Sequence, residues 1–245
     1  MLKLNKFYRR YYQGENIVVE RNYSSGIWQD TTEMVPNAVI NSQISEQAVV
    51  IGNGPSRLDF DLNLIKNHKG GLLASKALQS YGCNALYRDF TPNFLVAVGN
   101  EIIKEIANSN YTTDNIVYTD ALHLLEYPNK FYLIPHNPYT DAGTAAAYIA
   151  AFDGHKKVFL LGFDGQDNSN YNYNVYAGTN AYQPLTAQVS DNKWVADRTI
   201  LFNTYTETEF IRVTIKNTEP IPEPWKYCSN FRAINLNQFA LEADL

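Results

Sequence analysis

The chain is expected to fold as an α/β domain, a mostly parallel sheet flanked by helices, on three observations. From residue 48 onward, short β-like runs alternate with helical stretches, the rhythm of βαβ units. The run Ala48-Val49-Val50-Ile51-Gly52-Asn53-Gly54-Pro55-Ser56 carries five small or apolar residues, three of them β-branched, straight into a Gly-rich turn. Such a run suits a strand covered on both faces. Finally, Ala145, Ala146, Ala147, Ile149, Ala150 and Ala151 give the stretch 141–154 a small-residue surface that can lie close to a sheet.

In chain order, residues 1–47 show no sustained period. They have a basic-aromatic opening and polar turns around Ser24-Ser25-Gly26 and Pro36-Asn37. They read as an irregular, extended arm or small subdomain that packs Phe7, Tyr11, Trp28 and Val35 on the main domain or on a neighbouring subunit. The basic-aromatic cluster also fits RNA or phosphate contact; a docked arm is the preferred reading. Strands are expected at 48–52, 72–75, 94–98, 115–119, 130–134 and 157–161, with helical stretches at 57–67, 100–109, 120–126 and 141–154. Gly52 and Gly54 permit a tight bend and close backbone approach. Pro55 fixes one φ, and Ser56 is placed to cap a helix starting at Arg57-Leu58. Thr140 or Asp141 caps the helix 141–154, and Gly154 ends it.

After strand 157–161 come Gly162-Phe163-Asp164-Gly165-Gln166-Asp167-Asn168 and a Tyr/Asn tract to residue 182. An aperiodic stretch of that length is usually functional or disordered, and 165–182 is expected to be a lid. A helix over 191–206, with Trp194, Val195, Ile200 and Leu201, and a strand at 210–215 then close a domain spanning 48–215. Residues 216–245 form a C-terminal extension. Pro220, Pro222 and Pro224 make 216–227 an extended connector, and the tail from Phe231 offers one more strand and a terminal helical turn.

Composition narrows the function classes. At 245 residues the chain is long enough for one large domain. A net charge of −5 argues against general nucleic-acid binding. The 18 Tyr and many Asn, against 18% charged residues, suit a sugar or nucleotide site or a protein interface, and equally an AT-rich genome. Cys83 and Cys228 are too few for a disulfide framework or a four-thiolate zinc site, so a reducing, cytoplasmic compartment is expected. No run approaches the ~20 apolar residues of a membrane span, and the charged opening lacks the apolar core of a secretory signal. Gly-x-Gly-x-x-Gly, the P-loop, Gly-x-Ser-x-Gly and His-Glu-x-x-His are all missing.

Ligands of an open parallel sheet bind beyond the carboxyl ends of its strands. Those ends collect Asn53 to Ser56, Cys83-Asn84, Gly99-Asn100-Glu101, Asp120, His136-Asn137 leading to Asp141-Ala142-Gly143-Thr144, and Asp164 to Asp167. Thr140 to Thr144, at a helix start, has the best physical case for holding an anion, although Asp141 competes for the same amides as a cap. His136 is the one histidine at a strand end and a candidate base, in a Pro135-His136-Asn137-Pro138 stretch that also reads as a rigid turn. Asp164 equally reads as the cap of a turn, and Asn84 as a loop-bracing side chain.

Asn53-Gly54-Pro55-Ser56 after a strand, Cys83-Asn84, the helix start at Gly143 and the strand ending in Gly162-Phe163-Asp164 together resemble the bacterial lipooligosaccharide sialyltransferases. The motility-accessory-factor proteins and hydroxymethylpterin pyrophosphokinases belong to the same set of relatives. The resemblance covers residues 48–165. The block Tyr81-Gly82-Cys83-Asn84-Ala85-Leu86-Tyr87-Arg88-Asp89-Phe90-Thr91-Pro92 is similar to proteins of marine cyanobacteria and their phages. The resemblance implies a Rossmann-like sheet binding a nucleotide sugar such as CMP-sialic acid. Asn53 and Asn84 would contact the donor, with Gly54 and Ser56 in the same turn. Asp141, Gly143 and Thr144 would lie beside it, and Tyr171 or Tyr173 would sit in the lid.

Three functions follow as expectations. The first is a nucleotide- or nucleotide-sugar-binding transferase of glycosyltransferase type, with Asp164 and His136 as catalytic candidates. The second is a non-enzymatic virion or assembly protein, contacting phage structural proteins or its own copies through residues 1–47. It is motivated by the absence of any His from residues 165–245, by the phage-like block 81–92 and by the long N-terminal arm; Asp141-Ala142 also departs from the Thr-Ser or similar of the sialyltransferases. The third is a pterin or nucleotide pyrophosphokinase, whose Mg²⁺ would fall to Asp120, Asp141 and Asp164.

Overall fold

The computed structural model describes residues 5–12, 15–24, 27–34, 45–67, 78–164, 174–184, 191–215 and 220–245, the first three stretches as backbone. The chain opens with β1 (Asn5–Tyr12), β2 (Glu15–Ser24) and β3 (Ile27–Met34), an antiparallel three-stranded sheet in that order. This is more regular than the irregular arm read from the sequence, and closer to its alternative, a small subdomain. The contacts expected of Phe7, Tyr11, Trp28 and Val35 fall outside the described side chains.

The main sheet holds eight strands: β4 (Gln47–Ile51), β5 (Gln79–Cys83), β6 (Phe94–Val96), β7 (Ile116–Thr119), β8 (Tyr132–Leu133), β9 (Lys157–Leu161), β10 (Glu209–Thr214) and β11 (Phe231–Asn235). Their order is β11-β10-β9-β4-β5-β6-β7-β8, and every pairing is parallel. The helices are α1 (Leu62–Asn67), α2 (Asn100–Asn108), α3 (Tyr111–Asp114), α4 (Ala121–Glu126), α5 (Ala142–Phe152), α6 (Asp191–Thr204) and α7 (Leu236–Glu242). This is the expected α/β, Rossmann-like architecture, with the sheet wholly rather than mostly parallel.

Strand alternation sorts the core into two layers. Ala48, Val50, Phe94, Val96, Val158, Leu160 and Phe210 face α5, α6 and Trp225 on one side. Val49, Ile51, Leu95, Val117, Phe159, Leu161, Ile211 and Val213 face α1, α2 and α7 on the other. All eleven residues of α5 are buried. Its small side chains let the helix press on the sheet, and Asp141 rather than Thr140 caps it by accepting from the Thr144 amide.

Several boundaries differ from the sequence reading for local reasons. The second strand is Gln79–Cys83; residues 72–75 lie outside the described residues. Polar Gln79 and Ser80 hide it from a hydropathy reading, yet both are buried. Ser80 and Asn93 satisfy one another, each backbone amide donating to the other's side-chain oxygen at 2.9–3.0 Å. The helix read over 57–67 splits into a 3-10 turn, Pro55–Asp59, and α1. Ser56 caps neither, since the N-cap of the turn is Gly54, which has no side chain to cap with. The connector 216–227, described from Pro220, contains a 3-10 turn at Glu223–Tyr227 rather than being extended throughout.

From β4 the chain builds outward to β8 at one edge, then crosses back to lay β9 on the opposite side of β4. The reversal puts the topological switch, where such sheets hold ligands, at the carboxyl ends of β4 and β9.

Candidate functional site

At that switch two turns meet. The Gly52 amide donates to the Leu161 carbonyl at 2.7 Å and the Gly54 amide to the Gly162 carbonyl at 3.0 Å. The fit excludes side chains: a Cβ on Gly52 would stand 2.5 Å from the Gly162 oxygen, and one on Gly54 would stand 2.0 Å from Asp164 Oδ2. Gly162 itself sits at φ +73°, which glycine adopts without strain. Asp164 then turns back over the β4 turn, and its Oδ2 accepts the Ser56 amide at 3.1 Å. The carboxylate therefore occupies an amide at the head of this turn that an anionic ligand group would otherwise use.

The same pattern recurs at α5. Asp141 Oδ1 accepts the Thr144 amide at 3.0 Å, and its Oδ2 accepts the Thr144 hydroxyl at 2.5 Å. Gly143 packs closely, since a Cβ there would meet Asp141 Oδ1 at 3.2 Å and the Phe163 ring at 3.3 Å, contacts that both neighbours would have to relax. Phe163 thus links the two turns, and the Gly52–Ser56 and Asp141–Thr144 segments stand on one rim as expected.

Two polar atoms on this rim are buried without a hydrogen-bond partner among the described residues, Asn53 Oδ1 and Ser56 Oγ. Leaving such groups unpaired costs about 1–3 kcal/mol each, so they mark where a partner is missing. Asn53 is otherwise held by a long 3.4 Å contact from its Nδ2 to the Cys83 carbonyl. Asn84 has a different job. At φ +48°, it accepts the Val98 amide at 2.9 Å and braces the turn after β6. The Cys83 thiol between them is an unreactive one, because burial, followed by Asp141, pushes its pKa up to about 12.

Other expected site residues are not brought together. His136 is exposed, at φ +43°, on the loop after the edge strand β8. That loop leaves β8, about 24 Å from β9 by strand spacing, and runs back to α5, where the Pro135 carbonyl accepts the Tyr148 hydroxyl at 2.8 Å. Asp120 caps α4 through the His123 amide at 3.1 Å and pairs with the His123 ring at 2.9 Å. Its strand, β7, lies about 19 Å from β9, which separates Asp120 from Asp164 as ligands of one Mg²⁺. Among the described residues no cluster of three or more His, Cys, Asp or Glu is placed to hold a metal. Tyr171 and Tyr173 lie outside the described residues.

Residues 174–184, which include the described end of the stretch 165–182 read as a lid, are strapped to the rim on the α1 side. The Val175 amide donates to the Asn53 carbonyl at 2.9 Å. Tyr176, buried, accepts from Arg57 Nη2 at 2.7 Å and donates to Asp89 Oδ2 at 2.5 Å. Arg88 adds bonds to Thr179 Oγ1 at 2.8 Å and to the Asn180 carbonyl at 2.9 Å.

On the α5 side lies a cavity of about 180 Å³ between Asp164, α6 and the segment Pro220–Trp225. Arg198 of α6 reaches into it. Its Nε donates to Thr144 Oγ1 at 3.1 Å and its Nη2 lies 3.8 Å from Asp141 Oδ1. Burial pushes its pKa down, opposed by Asp141 and more weakly by Asp164. Arg198 is absent from the sequence reading, yet a signal existed. Trp194, Val195, Arg198, Leu201, Phe202 and Tyr205 fall at helical spacing, which sets the arginine on the buried stripe. Ile200, named with Trp194, Val195 and Leu201 in reading this helix, lies off that stripe and is 57% exposed.

No family model matches the chain, nor does any curated protein or solved structure. Among the described residues, no helix is long and apolar enough to cross a membrane.

Proposed function

We propose that the chain is a nucleotide- or nucleotide-sugar-binding transferase, its ligand lying over the carboxyl ends of β4, β5 and β9. The observation that carries this reading is the pair of partnerless buried atoms, Asn53 Oδ1 and Ser56 Oγ, at the reversal of the sheet. A hydroxyl or amino group of a ligand satisfies the first, and an anionic oxygen accepts from the second. Asn84 acts as a positioning residue through Val98. Asp164 is the remaining catalytic candidate, with Oδ2 held by Ser56 and Oδ1 taking no hydrogen bond among the described residues. The ordered motifs of the sialyltransferase resemblance support the same class; Asp120, engaged as the cap of α4 on a strand about 19 Å from β9, weighs against a metal-dependent pyrophosphokinase. Thermal-shift titration with CMP, UDP and ATP, with and without Mg²⁺, tests it. A bound nucleotide at 100-fold its Kd stabilises by about 2.7 kcal/mol, a shift of a few degrees. Silence with every nucleotide rejects the reading.

A second reading, a non-enzymatic assembly protein built on this fold, draws on the carboxylates of Asp164 and Asp141, which already fill the amides that a bound phosphate would use. In that case residues 1–40 carry the contacts. Their deletion then abolishes self-association or particle association in light scattering while the circular dichroism of the domain is kept; unchanged assembly removes this reading.

A further inference from the structure

The cavity beside Asp164 has a composition that a structural void lacks. Its walls are Trp194, Val195, Pro220, Ile221, Pro222 and Trp225, and its two polar wall residues are Arg198 and Asp164. Arg198 is only 8% exposed. Of its five N–H donors, only Nε–H is hydrogen-bonded among the described residues, to Thr144. Nη2 comes no nearer to Asp141 than 3.8 Å, beyond a hydrogen bond. Rings hold the guanidinium in place, with Cζ 4.8 Å from the Phe163 centroid, 5.6 Å from Trp194 and 6.0 Å from Trp225. A buried, pre-positioned guanidinium in a cavity wall, with both Nη groups unbonded among the described residues, is the geometry that binds a carboxylate by two parallel hydrogen bonds.

Charge and volume narrow the ligand. One guanidinium faces two carboxylates, Asp141 and Asp164, so the site is net negative before anything enters. A dianion such as a phosphate monoester meets net repulsion there, and a simple carboxylate leaves Asp164 Oδ1 without a partner. A ligand that brings a cation together with its carboxylate matches both walls. At about 180 Å³ the cavity falls well below the ~300–1,000 Å³ of sites that enclose whole cofactors. Two Trp, an Ile, a Val and two Pro then face what remains of the ligand.

We propose that this cavity binds an α-amino acid, or a small zwitterion of that pattern, with its carboxylate on Arg198 Nη1 and Nη2, its ammonium on Asp164 Oδ1, and an apolar or aromatic side chain between Trp194, Ile221 and Trp225. The proposal does not rest on the nucleotide reading, since Asn53 and Ser56 take no part in it.

Isothermal titration of the full chain with L-leucine, L-phenylalanine, L-tyrosine and L-tryptophan tests it, with phenylacetate, phenethylamine and inorganic phosphate as comparison probes. At least one amino acid binds with a Kd below about 1 mM, and loss of either its ammonium or its carboxylate weakens binding about 10-fold or more. Ile221→Trp fills the cavity without touching Arg198 or Asp164 and abolishes binding while the melting temperature is kept. Arg198→Lys retains the charge without the planar fork and weakens binding by about 10-fold. Absence of heat with all four amino acids up to about 10 mM overturns the proposal. So does phenylacetate or phosphate binding as tightly as phenylalanine, or undiminished binding to a folded Ile221→Trp variant. Nucleotide binding measured alongside separates the two ideas, because amino-acid silence with an intact nucleotide response rejects only this site.

Discussion

Gly54 leaves no room for a methyl group, for reasons that lie 108 and 110 residues away in the sequence, at Gly162 and Asp164. Its ideal Cβ position is 2.0 Å from Asp164 Oδ2 and 2.6 Å from the Gly162 oxygen. The second of these is backbone and cannot swing aside. Gly54→Ala is therefore expected to destabilise by about 1–3 kcal/mol, the range for overpacking, read as a fall in the chemical-denaturation midpoint. Asp164→Ala relieves one of the two contacts, so it rescues the variant only in part. Full rescue would show that Gly162 yields, contrary to the geometry.

His155 sets a pH dependence at the opposite end of the sheet. It is wholly buried, and its Nδ1–H donates to the Ser45 carbonyl at 2.7 Å. Its Nε2 and Asp153 Oδ2 both lie 2.8 Å from the Tyr81 hydroxyl, whose single proton serves one of them. Protonating Nε2 would supply the second proton, but burial opposes the charge and pushes the pKa down from 6.5 to about 4. The folded chain thus resists a proton that the unfolded chain accepts below pH 6.5. Stability is full above that pH and falls progressively toward pH 4, by about 3 kcal/mol from this residue. His155→Gln should flatten that interval of a urea-denaturation pH series. An identical slope in wild type and variant would mean that the imidazolium is already present in the folded core.

At the scale of elements, the strap 174–184 depends on a single ring. Tyr176 is buried with Arg57 Cζ 5.3 Å and Arg88 Cζ 5.6 Å from its centroid, and its hydroxyl links Arg57 to Asp89. Tyr176→Phe keeps the ring and removes both bonds. The variant should lose about 1–3 kcal/mol and be cut by trypsin at Arg88 or near the strap sooner than wild type; equal cutting rates would mean that the Val175–Asn53 bond and the Arg88 bonds to Thr179 and Asn180 suffice. The strap also shows how far the elements were legible. Strand 157–161 coincides with β9 and helix 141–154 contains α5, because both are long, apolar and cleanly bounded. β5 was not legible, because Ser80 is satisfied by Asn93 rather than by water and Gln79 beside it is buried despite its polar side chain. Nor was the role of Arg198, since its partners Thr144 and Asp141 lie on another helix and only the fold brings them together. The convergence of Asn53 and Gly143 on one rim follows from topology, and the sequence pattern carried it. The filling of that rim by Asp164 and Asp141 does not, because a carboxylate reads alike whether it awaits a ligand or already holds an amide.

For the molecule as a whole, the sheet should be most stable at its middle and least at the β8 edge. β4 and β9 have neighbours on both sides and apolar layers on both faces. β8 is two residues long, at the edge, with Tyr132 and Leu133 43% and 49% exposed. Native-state hydrogen exchange should therefore find the β4 and β9 amides opening only with global unfolding, while β8 and neighbouring α4 exchange at least about 100-fold faster through local opening. The N-terminal sheet enters the same experiment. None of its three strands pairs with the eight, whereas Ser45 and Glu46 are bound to the main domain. The Ser45 carbonyl holds His155, and the Glu46 carbonyl accepts the amides of Lys156 and Lys157 at 2.8 and 3.1 Å. A chain lacking residues 1–40 keeps those three bonds, so protection in β4 and β9 should match the full chain within a few-fold. A drop toward the β8 level would instead make the N-terminal sheet part of the cooperative unit, with packing rather than strand pairing as the connection.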